Sequence, residues 1–434
     1  MRKILFSCLF LISVSDVAIS QVVKRSVLTR AGSPEEAGFS SERLKRVDNL
    51  IKGFVDRGAT NGAVAMIVRN GKIVYFKAFG YDADPSTPLK TDAIFRIASQ
   101  TKAITSVAVM MLYEEGKFLL DDPISDYIPE FKKPKVLDKY NAADTTYTTV
   151  PAKREITIRD LLTHTSGIGY AQIGSPESNA IYYKAGIVGG IGVKNIVLGD
   201  KMKILGSMPL LHQPGEKWTY GLNTDLLGYL VEVLSGMSLD EFFRKRIFQP
   251  LGMKDSYFYL PKEKYNRLTT LYTEDTATGK AKKMAETINI NGEMIRDFPN
   301  TAGTYFSGGG GLSSTVYDYA IFLQMMLNGG EYNGQRLLSP HTIRMMTMNQ
   351  VGDLNLGNNK FGLGFGITTE KGSSIIPTPA GVFDWGGMFS TTYWADPKEK
   401  LIGLIYRNIW PTRHWQLSQK FKVMVYQALV EKQN

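Results

Sequence analysis

Phe95-Arg96-Ile97-Ala98-Ser99-Gln100-Thr101-Lys102 holds the only Ser-x-x-Lys in the 434 residues of this chain. The residues that follow, Ala103 to Gly116, are apolar at Ile104, Val107, Ala108, Met111 and Leu112. That spacing predicts a buried helix with Gly116 as its C-terminal stop. Ser99 and Lys102 are three apart, so on a helix they share a face one turn apart. A serine hydroxyl is a poor nucleophile until a base takes its proton. A lysine amine can be that base where burial or nearby positive charge favours its neutral form. The same tetrapeptide also describes a helix N-cap followed by a solvated lysine. What separates the two is whether the chain supplies partners for Ser99.

On the N-terminal side, Ser40 or Ser41 can cap a helix to about Val55, with Leu44, Val47, Leu50 and Ile51 on one face. Two β-rich runs, Ala63–Val68 and Lys72–Phe79, flank Asn70-Gly71, a strong hairpin signal. Far downstream the strand pattern returns at Gly362–Thr368, Gly381–Trp385, Thr391–Ala395 and Leu401–Arg407, and a helix from about Trp415 to Val430 closes the chain. Strands at both ends and a mostly helical middle predict a sheet built from both termini with a helical insertion. The α/β part is expected at about 35–115 and 305–434, and the insertion at about 116–304.

Composition is that of an ordinary globular protein, 43% hydrophobic and 21% charged, with net charge +10. The basic residues are scattered, without a long run or aromatic interleaving. They read as solvated surface, and nucleic acid is not an expected partner. At the N-terminus, Arg2 and Lys3 precede an apolar run from Ile4 to Val14 and the small-residue end Ala18-Ile19-Ser20. These are the parts of a secretory signal, residues 1–20, cleaved near Ser20-Gln21. The run is too short to span a bilayer, and no later stretch predicts an integral membrane segment. The expected location is periplasmic or secreted. The single Cys8 falls inside the signal, so no disulfide, thiol nucleophile or thiolate metal site is expected.

Other chemistries lack their residues. There is no Gly-x-Ser-x-Gly elbow, no His-Glu-x-x-His and no P-loop. No metal or organic cofactor is expected. His164 and Ser166 end the segment Ile156–Gly167, and with only four histidines in the chain they read as turn hydrogen-bonders. The Gly-rich Ser307–Thr315 lacks the lysine of a phosphate loop and reads as backbone packed beside a pocket. Gln213-Pro214-Gly215-Glu216 is a turn that delivers Lys217-Trp218-Thr219-Tyr220-Gly221-Leu222-Asn223 to a helix from about Thr224 to Ser235. Leu226, Leu227, Leu230, Val231 and Leu234 form its buried face. The passage Asp121–Lys153 reads as a polar surface excursion, and residues 261–300 as a lid or loop.

Taken in order, Phe95–Lys102, Ile156–Gly167, Pro214–Gly228 with Asp225-Leu226-Leu227-Gly228, Leu251-Gly252-Met253, Ser307–Thr315 and Trp385-Gly386-Gly387 resemble the serine β-lactamase and penicillin-binding-protein superfamily. The nearest likeness within it is to class C β-lactamases and, above all, family VIII carboxylesterases. The resemblance spans roughly residues 35–430. It implies an α/β (α+β type) fold, an antiparallel sheet flanked by helices with an all-helical inserted subdomain, and a site between the two. It implies that Ser99 is acylated, that Lys102 is a general base and that Tyr220 protonates the leaving group, the operative base being open between Lys102 and Tyr220. It also implies an oxyanion hole from the backbone N–H groups of Ser99 and Met388, and substrate contacts at Trp385, Gly386, Gly387, Leu222 and Asn223. Two positions depart from the lactamase pattern. Leu222 stands where Tyr-x-Asn has its asparagine, and Trp385-Gly386-Gly387 stands where lactamases carry Lys-Thr-Gly. The literal Tyr406-Arg407-Asn408 ends a strand with no helix after it and reads as coincidence.

The sequence therefore predicts a secreted serine hydrolase acting through an acyl-enzyme on a small-molecule ester or amide, first of all a carboxylesterase on small acyl esters. The alternatives are a β-lactamase, a D-amino-acid peptidase, or an envelope protein that acylates slowly with penicillins. Nothing in the sequence fixes the oligomeric state or the natural acyl and leaving groups.

Overall fold

The computed structural model describes residues 27–192, 196–289, 293–375 and 378–430; the expected signal segment and Cys8 lie outside them. Eight strands form one sheet: β1 (Thr29–Arg30), β2 (Gly62–Arg69), β3 (Lys72–Gly80), β4 (Asn359–Phe361), β5 (Gly366–Thr368), β6 (Phe383–Gly387), β7 (Thr391–Asp396) and β8 (Leu401–Tyr406). Their spatial order is β1-β3-β2-β8-β7-β6-β5-β4. Every neighbouring pair is antiparallel except β1 with β3. The two ends of the chain thus meet where β8 pairs with β2, Tyr406 opposite Val64 and Leu401 opposite Arg69. Asn70 and Gly71 turn β2 into β3 with φ of 52° and 75°, the positive values a two-residue hairpin with native twist requires.

The helices that matter for the site are α1 (Ser41–Asp56), α2 (Thr101–Glu114), α3 (Ile158–Leu162), α4 (Asn223–Ser235), α5 (Val316–Leu327) and α6 (Gln416–Gln427). All eight residues of β2 are buried, because both faces of the sheet are covered. Alternate side chains go opposite ways. Ala63, Ala65 and Ile67 join Leu44, Val47, Ile51 and Phe54 of α1 and Leu417, Phe421 and Val425 of α6 in one apolar layer. Val64, Met66 and Val68 join Ile104, Val107 and Ala108 of α2 and Phe322 of α5 in the other. Helix α2 is buried at every residue from Thr101 to Leu112, since its outer side is covered by α4.

The middle of the chain is not all-helical, as the resemblance implied. Besides α3, α4 and the helices Pro176–Lys184, Leu198–Gly206 and Leu239–Phe243, it carries hairpins at Lys135–Asn141/Thr146–Pro151 and Tyr272–Glu274/Ala281–Lys283 and a third at Thr287–Asn289/Glu293–Ile295. The first replaces the expected loop because Thr145-Thr146-Tyr147-Thr148-Thr149-Val150 is rich in β-branched residues. Most of its residues are exposed or half-exposed, so it leaves no apolar alternation to read.

The sheet and the two central helices grip the turn before α2 from several sides. Ile97 N–H donates to Leu312 O at 3.0 Å. Tyr319 of α5 donates to Gln100 O at 2.8 Å. Tyr406, the last residue of β8, donates to Gln100 Oε1. Both tyrosines are fully buried, and among the described residues the Gln100 Nε2 has no partner of its own. Tyr406→Phe would strand the Gln100 carbonyl oxygen as well. Leaving a buried acceptor unpaired costs about 1–3 kcal/mol. Urea unfolding is expected to show a stability loss of that size for Tyr406→Phe, with little change in the slope against urea.

Candidate active site

Ser99 sits in a single tight turn, Ala98–Gln100, that runs straight into α2. Ala98 holds a left-handed φ of 43°, uncommon for a residue with a Cβ and a sign that the turn is constrained by its surroundings. The Ser99 hydroxyl is met from two directions. Tyr220 OH lies 2.7 Å from Oγ, and Lys102 Nζ lies 3.3 Å from it. Lys102 is 2% exposed. Its ammonium donates to Gly309 O at 2.6 Å and sits over the rings of Tyr220, at 4.7 Å, and Tyr170, at 5.8 Å. The solvated-lysine reading is thereby excluded: Lys102 is a core residue whose charged end is aimed at Ser99.

Tyr220 is fixed by its neighbours. Its ring is 6.0 Å from Trp218, nearly parallel, and 5.1 Å from His164, 5.4 Å from Tyr170 and 5.7 Å from Trp385. His164 is buried with a φ of 59°. Burial, then the nearby Lys102, pushes its pKa well below the usual imidazole value, so it stands under Tyr220 as a neutral ring. Its Nδ1 is 2.9 Å from Asn223 Nδ2, which donates to it, and Ser166 Oγ donates to Asn223 Oδ1. His164 and Ser166 are therefore turn hydrogen-bonders, as expected. Asn223 and Leu222, expected to contact substrate, do not line the cleft. Both are 0% exposed, and the Asn223 amide is used up by His164 and Ser166. The helix that starts at Asn223 turns these two residues inward.

The edge of the site is the end of β6. Trp385 is half-buried and packs on Tyr220 and, at 5.4 Å, on Phe361. Gly387 touches the nucleophile turn: a Cβ there would lie 2.2 Å from Ile97 O and 2.3 Å from Thr391 Oγ1. Gly386 would bring a Cβ within 3.4 Å of Thr391 O. Met388 follows directly and packs with Ala98, Phe389 and Ile191. Among the described residues, the N–H groups of Ser99 and Met388 are not used in the turn and ladder hydrogen bonds around them. The literal Tyr-x-Asn lies elsewhere. Tyr406 reaches Gln100, Asn408 donates to Thr269 Oγ1, and the guanidinium of Arg407 is 1% exposed and donates to His414 O at 3.1 Å.

Several groups at the site were given no role of their own by the sequence. Asp225 is buried in the first turn of α4, with Ser307 Oγ donating to its Oδ1 at 2.6 Å. Tyr170, Trp218 and Phe361 complete the aromatic wall. Tyr170 and Trp218 stand in stretches without periodic pattern, so only their place in the fold gives them meaning.

With this geometry in hand, the relatives are informative. Residues 47–417 match the family model described as Beta-lactamase. The chain belongs to the beta-lactamase family. Esterase EstB of Burkholderia gladioli is 29% identical over 395 residues, covering 87% of this chain and 94% of that protein. A putative D-alanyl-D-alanine carboxypeptidase of Escherichia coli (strain K12) is 30% identical over 410 residues, covering 89% and 86%. Among solved structures, EstCE1, titled a hydrolase with promiscuous acyltransferase activity, superposes with a TM-score of 0.76 at 25% identity, covering 88% of this chain and 98% of its own. Family membership, these relatives and the Ser99 set make this protein a serine hydrolase.

The contact of Gly387 with Ile97 can be tested directly. An alanine Cβ there meets a backbone oxygen that cannot swing away, so Gly387→Ala must push β6, and Met388 after it, off the turn. Loss of one oxyanion donor typically costs roughly 10²–10³ in kcat. A drop of that order for a nitrophenyl ester is expected, with the far-UV circular dichroism spectrum unchanged.

Proposed function

We propose that this protein is a carboxylesterase for small neutral acyl esters, working through an acyl-enzyme on Ser99. The observation that carries the reading is the Ser99 hydroxyl held between Tyr220 OH at 2.7 Å and Lys102 Nζ at 3.3 Å, beside an aromatic wall. Ser99 Oγ attacks the ester carbonyl carbon while its proton passes to the Lys102–Tyr220 pair. The carbonyl oxygen becomes an oxyanion received by the N–H groups of Ser99 and Met388; such preorganised donors are often the largest single contribution to rate. The tetrahedral adduct collapses, the C–O bond to the leaving group breaks, and the leaving oxygen takes the proton from the pair. Water repeats the sequence on the acyl-enzyme, gives its proton through the pair to Ser99 Oγ, and releases the acid. The N-terminal Arg2–Ser20 pattern supports export before this chemistry takes place.

The wall argues for a neutral substrate. Relatives that process lactams or peptide C-termini offer a lysine at the position of Trp385, a charge-assisted partner for a carboxylate. Such a bond is worth about 1.5–3 kcal/mol, or roughly 10- to 150-fold in affinity. Trp385 offers an apolar face instead. Arg407, the nearby cation that could replace that lysine, has its guanidinium buried against His414 O. The likeness to the carboxypeptidase favours a second reading, hydrolysis of a D-alanyl peptide.

A substrate panel separates the two. For the purified chain, kcat/KM for a short-chain nitrophenyl ester is expected to exceed that for nitrocefin or ampicillin by at least about tenfold, the low end of the range above, with Trp385→Lys narrowing the gap. Preference for a lactam or a D-alanyl peptide would replace the esterase reading while keeping the mechanism. The mechanism itself is tested by Ser99→Ala, which should abolish turnover of every substrate. Intact-mass spectrometry should place a fluorophosphonate adduct on Ser99 of the wild type. An adduct elsewhere would refute it.

A further inference from the structure

Arg407 takes no part in the scheme above, and its guanidinium is 1% exposed. Among the described residues only Nη1 makes a hydrogen bond, donating to His414 O at 3.1 Å, and the fully shielded Nε has no partner. Arginine is almost never buried this far unless it is paired. The other buried arginines among the described residues each face a carboxylate, Arg69 with Glu399 at 2.7 Å and Arg96 with Asp297 at 3.5 Å. Arg407 faces none. The carboxylate that meets its segment, Glu274, is engaged by Arg413 Nε at 2.5 Å, the Arg413 N–H at 2.8 Å and Thr412 Oγ1 at 3.0 Å. Burial pushes the Arg407 pKa down to about 10, and no carboxylate of the described residues pulls it back up. It is still a cation at neutral pH.

A second positive group meets it. Tyr406 faces the α2 and α5 side of the sheet, and Ile405 faces α1 and α6. Arg407 follows on the Ile405 side, where its partner His414 lies two residues before Gln416, the first residue of α6. The first turn of that helix is seated on the same strands: Thr392 of β7, opposite Ile405, donates to Ser418 Oγ at 3.1 Å. Helix α6 has twelve residues, no side chain caps its N-terminus and its first turn holds no acidic residue. The unsatisfied N–H groups of such an end amount to about half a positive charge. The fold thus brings a buried guanidinium to the positive end of a helix. Both are groups that bind anions.

We propose that the Arg407 guanidinium and the first turn of α6 together form a binding site for one small monovalent anion, a halide or a short carboxylate. With Nη1 used by His414 O, the Nε–Nη2 edge is the one offered to the anion. The 1% exposure of the residue suits a small occupant. One full charge and a helix end are matched by a single negative charge better than by a dianion. The site does not touch Ser99. It lies behind the turn that carries Met388, where Arg407 N–H donates to Ser390 O at 3.4 Å and Ile409 N–H to Phe389 O at 3.1 Å, so a bound anion braces that turn from the far side.

The test is the thermal midpoint of the purified chain at constant ionic strength, with sodium chloride exchanged for sodium gluconate, an anion too bulky for a shielded guanidinium. An anion that binds only the folded state multiplies the folding constant by about elevenfold at ten times its Kd. A saturating rise of about 1–3 °C is expected with chloride, and none with gluconate. Arg407→Gln removes the charge and keeps a polar side chain, and should give one midpoint in both salts. A rise with acetate and formate but not chloride supports the site with a carboxylate as its occupant. Equal wild-type midpoints in chloride, acetate, formate and gluconate overturn the proposal, as does a variant that responds like the wild type. If Arg407→Gln does not fold, wild-type crystals soaked in bromide or acetate decide. An anomalous bromide peak or acetate density within hydrogen-bond distance of Arg407 is expected, and the absence of both overturns the proposal.

Discussion

Three pieces of backbone meet around the Ser99 turn at distances that exclude a β-carbon. Gly387 comes up from the sheet against Ile97, Gly309 comes across from the glycine run against Lys102 and Asp225, and Gly308 lies against Thr224 O, where a Cβ would be 2.5 Å away. At Gly387 and Gly308 the atom met is a backbone oxygen, which cannot swing away, whereas at Gly309 it is the Asp225 side chain. The turn is thus held in place by steric fit on one side and hydrogen bonds from Tyr319 and Tyr406 on the other. The strained φ of Ala98 is tolerable because that fit over-determines it. The rest of the fold brings these pieces together: β2 and β8 join the chain ends, and the α2–α4 contact seats the middle of the chain against the sheet.

The same crowding explains the electrostatics. A lysine 2% exposed is costly unless its charge is compensated. Here Nζ is met by unlike parts, namely the Gly309 carbonyl and the faces of Tyr220 and Tyr170. Such an arrangement holds Nζ 3.3 Å from the Ser99 hydroxyl, which Tyr220 also meets. His164 contributes by what it lacks. Kept neutral by burial, it supports Tyr220 without placing a second positive charge beside Lys102.

Where the sequence was periodic or punctuated, it was readable. The hairpin at Asn70-Gly71, helix α1 with its Ser40 cap, the α2 stripe and the last three C-terminal strands fall within a few residues of their expected places, whereas the expected strand Gly362–Thr368 is a hairpin of β4 and β5 turning at residues 362–365. The nucleophile turn was readable because Ser-x-x-Lys is unique in the chain. The hairpin at 135–151 was not, because its residues face solvent on both sides. Asn223 was misplaced for a different reason. The resemblance to Tyr-x-Asn implied a place in the cleft, whereas a helix beginning at Asn223 turns that side chain toward His164. Asp225 is two residues further round the same helix, and no spacing rule distinguishes it from an ordinary first-turn carboxylate that favours the helix dipole. Only its burial and the missing β-carbons at Gly190 and Gly309 do so.

The aromatic wall ties specificity to catalysis. Trp218 and Trp385 pack on the ring of Tyr220, and Phe361 packs on both tryptophans. They are also the surface a substrate would meet. A lysine at 385 would serve an anionic substrate, but it would remove one of the rings that fixes Tyr220 and bring a second cation toward Lys102. In this chain the neighbourhood of Ser99 already holds one buried lysine, Lys102. A further cation at the rim would have to be balanced by the substrate's own carboxylate. With Trp385 in its place no second cation enters, which is the ground for proposing a neutral ester as the substrate.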